Sequence, residues 1–126
     1  MTRGPRPLAA IRDAEKFAEK MGYRWQENSN NPELGYDLLV FKPGYAFLLK
    51  VRVVRTMINP EILYEDLLAD ELREIRGLPF PAWMPREIWL RTRHERTFRR
   101  LRVLDCAVAE IGFWDPDGYV NRHARD

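Results

Sequence analysis

Two cations and an acid lie close together in a predicted pair of neighbouring strands. Residues 46–54 form a mostly apolar run, in which successive side chains point to opposite faces of a strand. Lys50 and Arg52 therefore share one face, and Asp37 opens the strand before it. An ammonium group about 4 Å from a carboxylate forms an ion pair, whereas exposed guanidinium and ammonium groups bind phosphate. The pattern thus predicts either a phosphate-contacting surface or a buried ion-pair network.

A predicted helix over residues 8–21 brings a second carboxylate to this region. Glu15 lies between Leu8 and Ile11 on the helical wheel, at the rim of the apolar face. One interpretation is a solvated rim residue that pairs with Arg12. The other is a functional carboxylate that faces the edge of the domain.

The remaining elements follow from hydrophobic periodicity and turn residues. We expect a first strand at 23–27, the hairpin strands 37–41 and 46–54 around Lys42-Pro43-Gly44, a helix from Asn59-Pro60 to Arg76, and strands at 87–93 and 97–104. Residues 97–104 could instead begin a helix, because apolar residues recur at helical spacing at Phe98, Leu101, Leu104, Val108 and Ile111. We favour a strand to about 104, a short helix over 105–111 and a turn at 115–118. The order αβββαββ predicts an α/β domain with a mixed central sheet flanked by helices.

Size and composition suit one domain, residues 1–126, with a short basic tail at 1–7. No apolar segment approaches the roughly 20 residues that span a bilayer, so we expect no membrane partner. The single cysteine, Cys106, excludes an intrachain disulfide and fits a reduced, cytoplasmic setting. Because Cys106 stands among apolar residues, we expect it in the core.

Positive charge is concentrated in one segment, although the formal net charge is only +2. Residues 86–104 carry seven arginines and two acids. Arginine makes bidentate contacts with phosphate and stacks on bases, and Trp89 in this segment offers a further stacking face. The alternative is a solvated sheet face whose arginines pair with the acidic helix 61–76.

The residues GYDLLVFKPGYAFLLKVR, with Glu15 on the preceding helix, resemble the PD-(D/E)XK nuclease superfamily, especially its small archaeal Holliday-junction-resolvase-like branch. The resemblance implies a restriction-endonuclease-like core in which Glu15 and Asp37 hold Mg²⁺ and a strand acid-x-Lys motif completes the catalytic centre. That motif falls on Lys50-Val51-Arg52, so a lysine replaces the acid and an arginine replaces the lysine.

Three functions follow from this reading. The first is a catalytically degenerate, nuclease-like protein that needs no cofactor and binds nucleic acid, most simply DNA. The residues expected to contact it are Lys50, Arg52, Trp89 and the arginines Arg55, Arg91, Arg93, Arg96 and Arg99. The second is an active endonuclease that uses Mg²⁺ and a displaced acid, Glu61 or Glu65. The third is a structural or protein-interaction domain with an interface at the aromatic residues of 80–89. A homodimer is compatible with all three.

Overall fold

The structure is a computed structural model that describes residues 7–55, 63–93, 95–115 and 118–120. Three helices and seven strands follow one another in the order α1 β1 β2 β3 α2 α3 β4 β5 β6 β7. Their bounds are α1 Leu8–Lys20, β1 Arg24–Glu27, β2 Leu38–Lys42, β3 Tyr45–Val54, α2 Tyr64–Leu67, α3 Ala69–Arg76, β4 Arg86–Thr92, β5 Phe98–Val103, β6 Val108–Asp115 and β7 Gly118–Val120. None of the helices in these ranges has the length and apolar character needed to cross a membrane.

The strands form one mixed sheet in which spatial order follows chain order. β3 and β4 are parallel, and every other neighbouring pair is antiparallel. A parallel pair requires a crossover, and the chain between β3 and β4 supplies it with α2 and α3. The expected α/β class, a mixed central sheet flanked by helices, is confirmed.

The alternation predicted for β3 is also confirmed, and it separates two apolar cores. Phe47, Leu49 and Val51 pack with residues of α1 on one face of the sheet. Leu48 and Val54 pack on the other face with Leu68, Leu72 and Ile75 of the second helical layer. The β2–β3 hairpin that carries this alternation turns at Gly44, whose φ of 85° lies in the region that glycine adopts without strain.

The predicted helix over 105–111 is wrong. The chain turns after β5, where the backbone N–H of Leu104 donates to the carbonyl oxygen of Ala107, and β6 then continues to Asp115. The helically spaced apolar residues do not share one face: Phe98 and Leu101 belong to the cores on opposite faces of the sheet, and Leu104 is 47% exposed. Cys106 lies on this turn and is exposed, so its predicted core position is also wrong.

The second helical region is interrupted, and among the described residues it begins at Tyr64. Asn59, Pro60 and Glu61 lie outside the described residues, and α2 and α3 are separated at Leu68, where φ is −113° and ψ is 28°. Gly77 ends α3, as predicted. Leu63 is 65% exposed, so it does not belong to the apolar side on which it was expected.

Candidate nucleic-acid interface

The sheet separates the residues predicted to form a catalytic centre. Glu15 lies on α1 among the residues that pack against the face of Phe47, Leu49 and Val51. Lys50 and Arg52 alternate with those residues and so lie on the opposite face, toward α3. The structure therefore does not bring Glu15 together with the two cations of β3.

Arg52 takes part in a contact between the sheet and α3. Its Nε lies 2.6 Å from the Oε2 of Glu71, whose side chain is only 5% exposed. A buried carboxylate needs a partner of opposite charge, and Arg52 supplies one. This geometry gives Arg52 a structural role through Glu71, an acid outside the predicted ion-pair network of Asp37, Lys50 and Arg52.

Asp37 is buried at the point where β2 meets β3. Its Oδ2 accepts a hydrogen bond of 2.8 Å from the backbone N–H of Val51, one residue after Lys50. The backbone pairing of β2 with β3 begins at Leu38, which lies opposite Leu49. The Val51 N–H lies beyond that pairing on the β2 side, so the Asp37 carboxylate supplies the acceptor that it needs. Asp37 therefore positions the backbone of β3.

Glu15 faces another carboxylate. Burial raises the pKa of Glu15 above its usual range, and the nearby carboxylate of Glu27 in β1 raises the pKa further, while Arg12 opposes the shift. The Oε2 of Glu15 is buried and has no partner in the described part of the chain.

These carboxylates do not fit a Mg²⁺ site. Magnesium favours near-ideal octahedral geometry with oxygen ligands. In the described ranges, no group of three His, Cys, Asp or Glu side chains is placed so that it could hold a metal ion. Glu65, one of the predicted displaced acids, instead pairs with Arg76 at 2.8 Å, and the hydrogen bonds from Arg76 lower the pKa of this carboxyl. Glu61 lies outside the described residues.

Three exposed arginines gather at the carboxyl ends of β3 and β4. Val54 is in register with Thr92 in this parallel pair, and the backbone N–H of Arg93 donates to the carbonyl oxygen of Val54 at 3.1 Å. Arg55 and Arg93 thus leave neighbouring strands at the same edge of the sheet, and Arg96 lies on the connection to β5. We call Arg55, Arg93 and Arg96 the arginine edge.

Glu95 holds the connection that carries Arg93 and Arg96. Its Oε1 accepts a hydrogen bond of 2.9 Å from the backbone N–H of Thr92 and one of 2.8 Å from Nη1 of Arg99. Burial alone would raise the pKa of Glu95, but these hydrogen bonds outweigh it and lower the pKa. The carboxylate thus links Glu95 to the end of β4 and to Arg99 of β5.

Three other residues predicted to contact nucleic acid are either buried or paired with a carboxylate. Trp89 is 1% exposed and packs against Phe47 and Phe98, so it has no face for a base and its predicted stacking role is wrong. Arg91 pairs with Asp13 of α1 at 3.0 Å, and Arg99 pairs with Glu95. In the described ranges, no carboxylate pairs with any member of the arginine edge.

Sequence reasoning missed a polar network in the core on the α1 side. Glu87 is fully buried beside Arg100, and Arg102 donates to the hydroxyl of Tyr45 at 2.5 Å. Burial and the charge of Glu87 raise the pKa of Tyr45. The available signal was the alternation in β5, where Arg100 and Arg102 flank Leu101 and therefore share its opposite face.

No family model matches the chain, and the comparison with curated proteins likewise found no match.

Proposed function

We propose that this chain is a nucleic-acid-binding protein and that Arg55, Arg93 and Arg96 contact backbone phosphates. One observation carries the proposal: three exposed arginines lie at the same edge of the sheet without a carboxylate partner among the described residues. Exposed charges of one sign in close proximity repel one another, and a polyanion relieves that repulsion. Guanidinium groups also match phosphate in geometry, because they donate two parallel hydrogen bonds.

The position of the arginine edge supports the same proposal. Ligands of open α/β sheets bind outside the carboxyl ends of parallel strands, which is where Arg55 and Arg93 follow β3 and β4. Glu95 restrains the adjoining backbone, so less conformational freedom is lost when Arg93 and Arg96 bind a ligand. Arg91 and Arg99 contribute less, because each already has a carboxylate partner.

We further propose a restriction-endonuclease-like core whose catalytic centre is degenerate. The order of α1, three antiparallel strands, a helical crossover and a parallel β4 supports such a core. Loss of the motif acid at Lys50, together with the separation of Glu15 from Lys50 and Arg52, supports loss of catalysis. Cleavage in Mg²⁺ or Mn²⁺ that disappears in Asp37→Asn would instead favour the active-enzyme alternative.

The decisive experiment measures binding of the full chain to fluorescent duplex DNA at several salt concentrations. The triple variant Arg55→Gln/Arg93→Gln/Arg96→Gln removes the arginine edge. The logarithm of the association constant falls linearly with the logarithm of the salt concentration. If each arginine contacts one phosphate, this dependence should be shallower by about 2.7 in the triple variant.

The matched control is Lys16→Gln/Lys20→Gln/Arg24→Gln, which removes three exposed cations of α1 and β1 and changes the net charge equally. We expect the control to retain most of the salt dependence. Equal losses in both variants would show that overall charge, rather than the arginine edge, governs binding. No binding by the unmodified chain in low salt would overturn the proposal.

A second candidate function rests on Trp83, which is 80% exposed. The turn that presents it is fixed, because the Met84 N–H donates to the Pro81 carbonyl oxygen and Arg86 donates to the carbonyl oxygens of Leu78 and Phe80. Rigidly presented tryptophans often anchor protein interfaces. For a homodimer, we expect sedimentation velocity to show a mass that rises with concentration and falls in Trp83→Ser. A concentration-independent monomer mass would contradict this candidate.

A further inference from the structure

We infer that Lys42, Tyr45 and Arg102 form a binding site for a dianionic phosphate group, such as that of a phosphate monoester. The three side chains lie on the α1 side of the sheet, at the end where β3 begins, and we call them the Tyr45 site. β3 extends about 30 Å from Tyr45 to Val54, so the Tyr45 site and the arginine edge lie at opposite ends of this strand. The inference does not depend on the proposed function.

The sheet brings these side chains together from three strands. Lys42 of β2 lies directly opposite Tyr45 of β3, and side chains at such positions are neighbours on one face. The pairing of β3 with β4 begins only at Leu48. At this end of the sheet, Arg102 of β5 reaches the hydroxyl of Tyr45, with its Nη2 2.5 Å from the oxygen.

Positive charge exceeds negative charge in the cluster around the Tyr45 site. The fully buried Glu87 accepts two hydrogen bonds from Arg100, which neutralises it. Arg102 lies farther from this carboxylate, at 3.6 Å, and its side chain is 36% exposed. Together with the exposed Lys42, the cluster has three cations and one carboxylate, an excess of two positive charges. A phosphate monoester carries about −1.5 to −2 near neutral pH and so matches this excess.

Tyr45 adds a neutral donor beside the cations. Its hydroxyl oxygen accepts the hydrogen bond from Arg102, so its own O–H points elsewhere and can donate to a ligand oxygen. Burial and the charge of Glu87 raise the pKa of Tyr45, so the phenol keeps this proton at neutral pH. The guanidinium of Arg102 also has donors to spare, because its Nε has no hydrogen-bond acceptor among the described residues.

The side chains of the Tyr45 site are held in place by packing. The ring of Tyr45 lies 5.8 Å from that of Phe47 and 6.4 Å from that of Tyr23, measured between centroids. Nζ of Lys42 lies 4.6 Å from the centroid of the Tyr23 ring, a cation–π contact that keeps the ammonium group close to the same aromatic cluster. Lys42 is exposed, and Tyr45 and Arg102 are half-buried, so a small anion has access to all three.

These donors fit a phosphate monoester better than a carboxylate. The monoester presents three acceptor oxygens and nearly two negative charges. A carboxylate presents two oxygens and one charge, so it would leave a donor or a positive charge of the Tyr45 site unmatched. Because the donors are already positioned, little conformational freedom is lost when the anion binds.

The test is isothermal titration calorimetry of the full chain at low ionic strength and about pH 7.5, where a phosphate monoester is mostly a dianion. Phenyl phosphate and benzoate share an aromatic ring and differ in the anionic group, so we expect phenyl phosphate to bind about tenfold more tightly. Inorganic phosphate is the third probe. Weaker binding of inorganic phosphate than of phenyl phosphate would support an organic monoester as the ligand, and equal binding would support recognition of the phosphate group alone.

Two variants test the donors separately. Tyr45→Phe removes the hydroxyl and keeps the ring, and Arg102→Gln removes the guanidinium group. We expect each to weaken phenyl phosphate binding about tenfold, since each removes a hydrogen bond to a charged ligand. Arg24→Gln is the matched control, because the exposed Arg24 lies at the same end of the sheet on the opposite face and carries the same charge as Arg102. This control should change the affinity by less than about twofold.

Unchanged affinity in both Tyr45→Phe and Arg102→Gln would overturn the inference. An equal loss in Arg24→Gln would overturn it as well, because overall charge would then govern binding. Benzoate binding as tight as that of phenyl phosphate, or no binding of phenyl phosphate to the unmodified chain, would also overturn it.

The variant Arg55→Gln/Arg93→Gln/Arg96→Gln separates this inference from the proposed function. It lacks the arginine edge and should bind phenyl phosphate as tightly as the unmodified chain. Loss of phenyl phosphate binding in this variant would assign the anion to the arginine edge and overturn the Tyr45 site. Failure of the unmodified chain to bind duplex DNA would overturn the proposed function and leave the Tyr45 site intact.

Discussion

Glu87 on β4, which is fully buried, accepts two hydrogen bonds from Arg100 on β5, at 2.6 Å from Nε and 2.9 Å from Nη2. The same carboxylate accepts a hydrogen bond of 3.0 Å from the indole N–H of Trp89. Arg100 in turn lies over the ring of Phe47, 5.2 Å from its centroid. This cluster connects β3, β4 and β5 within the core, and it uses an arginine that would otherwise add to the positive surface.

Removal of one member of this pair should destabilise the protein strongly. Arg100→Met leaves the buried Glu87 charge with only the more distant Arg102, 3.6 Å away, as a cationic partner in the described structure. We expect a loss of about 3–5 kcal/mol in the free energy of unfolding, measured by urea denaturation. The double variant Glu87→Met/Arg100→Met should lose less than the single variant, because no buried charge is left uncompensated.

The exposed pair Asp70 and Arg73 provides the control for this measurement. Its oxygen and nitrogen atoms lie 2.9 Å apart, a distance similar to that in the buried pair. Arg73→Met should change stability by less than about 1 kcal/mol, because water screens both charges. Similar losses for Arg73→Met and Arg100→Met would contradict the role assigned to burial.

The burial of Glu15 beside Glu27 should appear in the pH dependence of stability. Because folding raises the pKa of Glu15, its contribution to stability is complete below the pKa of an unfolded glutamate, about 4.3, and is lost as the pH rises through the raised value. Glu15→Gln remains neutral throughout. We therefore expect this variant to gain stability relative to the unmodified chain as the pH rises from about 4 to about 7.

Urea denaturation at each pH measures the difference between the two proteins. Glu33→Gln, which removes an exposed carboxylate, is the control and should follow the unmodified chain at every pH. The unmodified chain alone cannot isolate the effect of Glu15, because other carboxyl groups also change its stability with pH. Glu95 has a lowered pKa, so its contribution to stability is lost as the pH falls. A constant difference between Glu15→Gln and the unmodified chain would contradict the pKa direction.

The parts of the fold that depend on local patterns could be predicted from the sequence. The alternation of β3, the turn at Gly44 and the apolar side of α1 each require only a few neighbouring residues. The region of 105–111 could not be predicted in this way, because its apolar spacing fits a helix and a strand, and pairing with β5 decides between them.

For the candidate site, the sequence indicates a segment but not which arginines stay exposed. The excess of arginine in 86–104 marks the segment that contains the exposed Arg93 and Arg96. Which arginines stay exposed depends on acids that are distant in the sequence, as Asp13 is from Arg91. Trp89 was misassigned because β4 is central in the sheet, where both faces are buried and alternation no longer distinguishes core from surface.

Arg52 should be important for stability and unimportant for binding. Its side chain is 40% exposed but pairs with the nearly buried Glu71, so we expect Arg52→Gln to lower the unfolding free energy by about 1–2 kcal/mol. The affinity of the Arg52→Gln variant for duplex DNA should equal that of Arg73→Gln within about twofold. Arg73→Gln removes one positive charge from the exposed surface of α3 and so matches the change in net charge. If Arg52→Gln lost as much affinity as Arg93→Gln, Arg52 would have to be counted among the residues that bind nucleic acid.

Asp13 should weaken binding, because it neutralises a fourth arginine next to the arginine edge. Arg91 is 14% exposed, pairs with Asp13 and stands two residues before Arg93. Asp13→Asn removes the paired charge, so we expect tighter binding to duplex DNA and a salt dependence steeper by about 0.9, the value for one added phosphate contact. Asp70→Asn changes the net charge equally on α3 and should leave the slope unchanged. Equal effects of the two variants in the salt titration would show that Arg91 does not reach the ligand and that net charge alone strengthens binding.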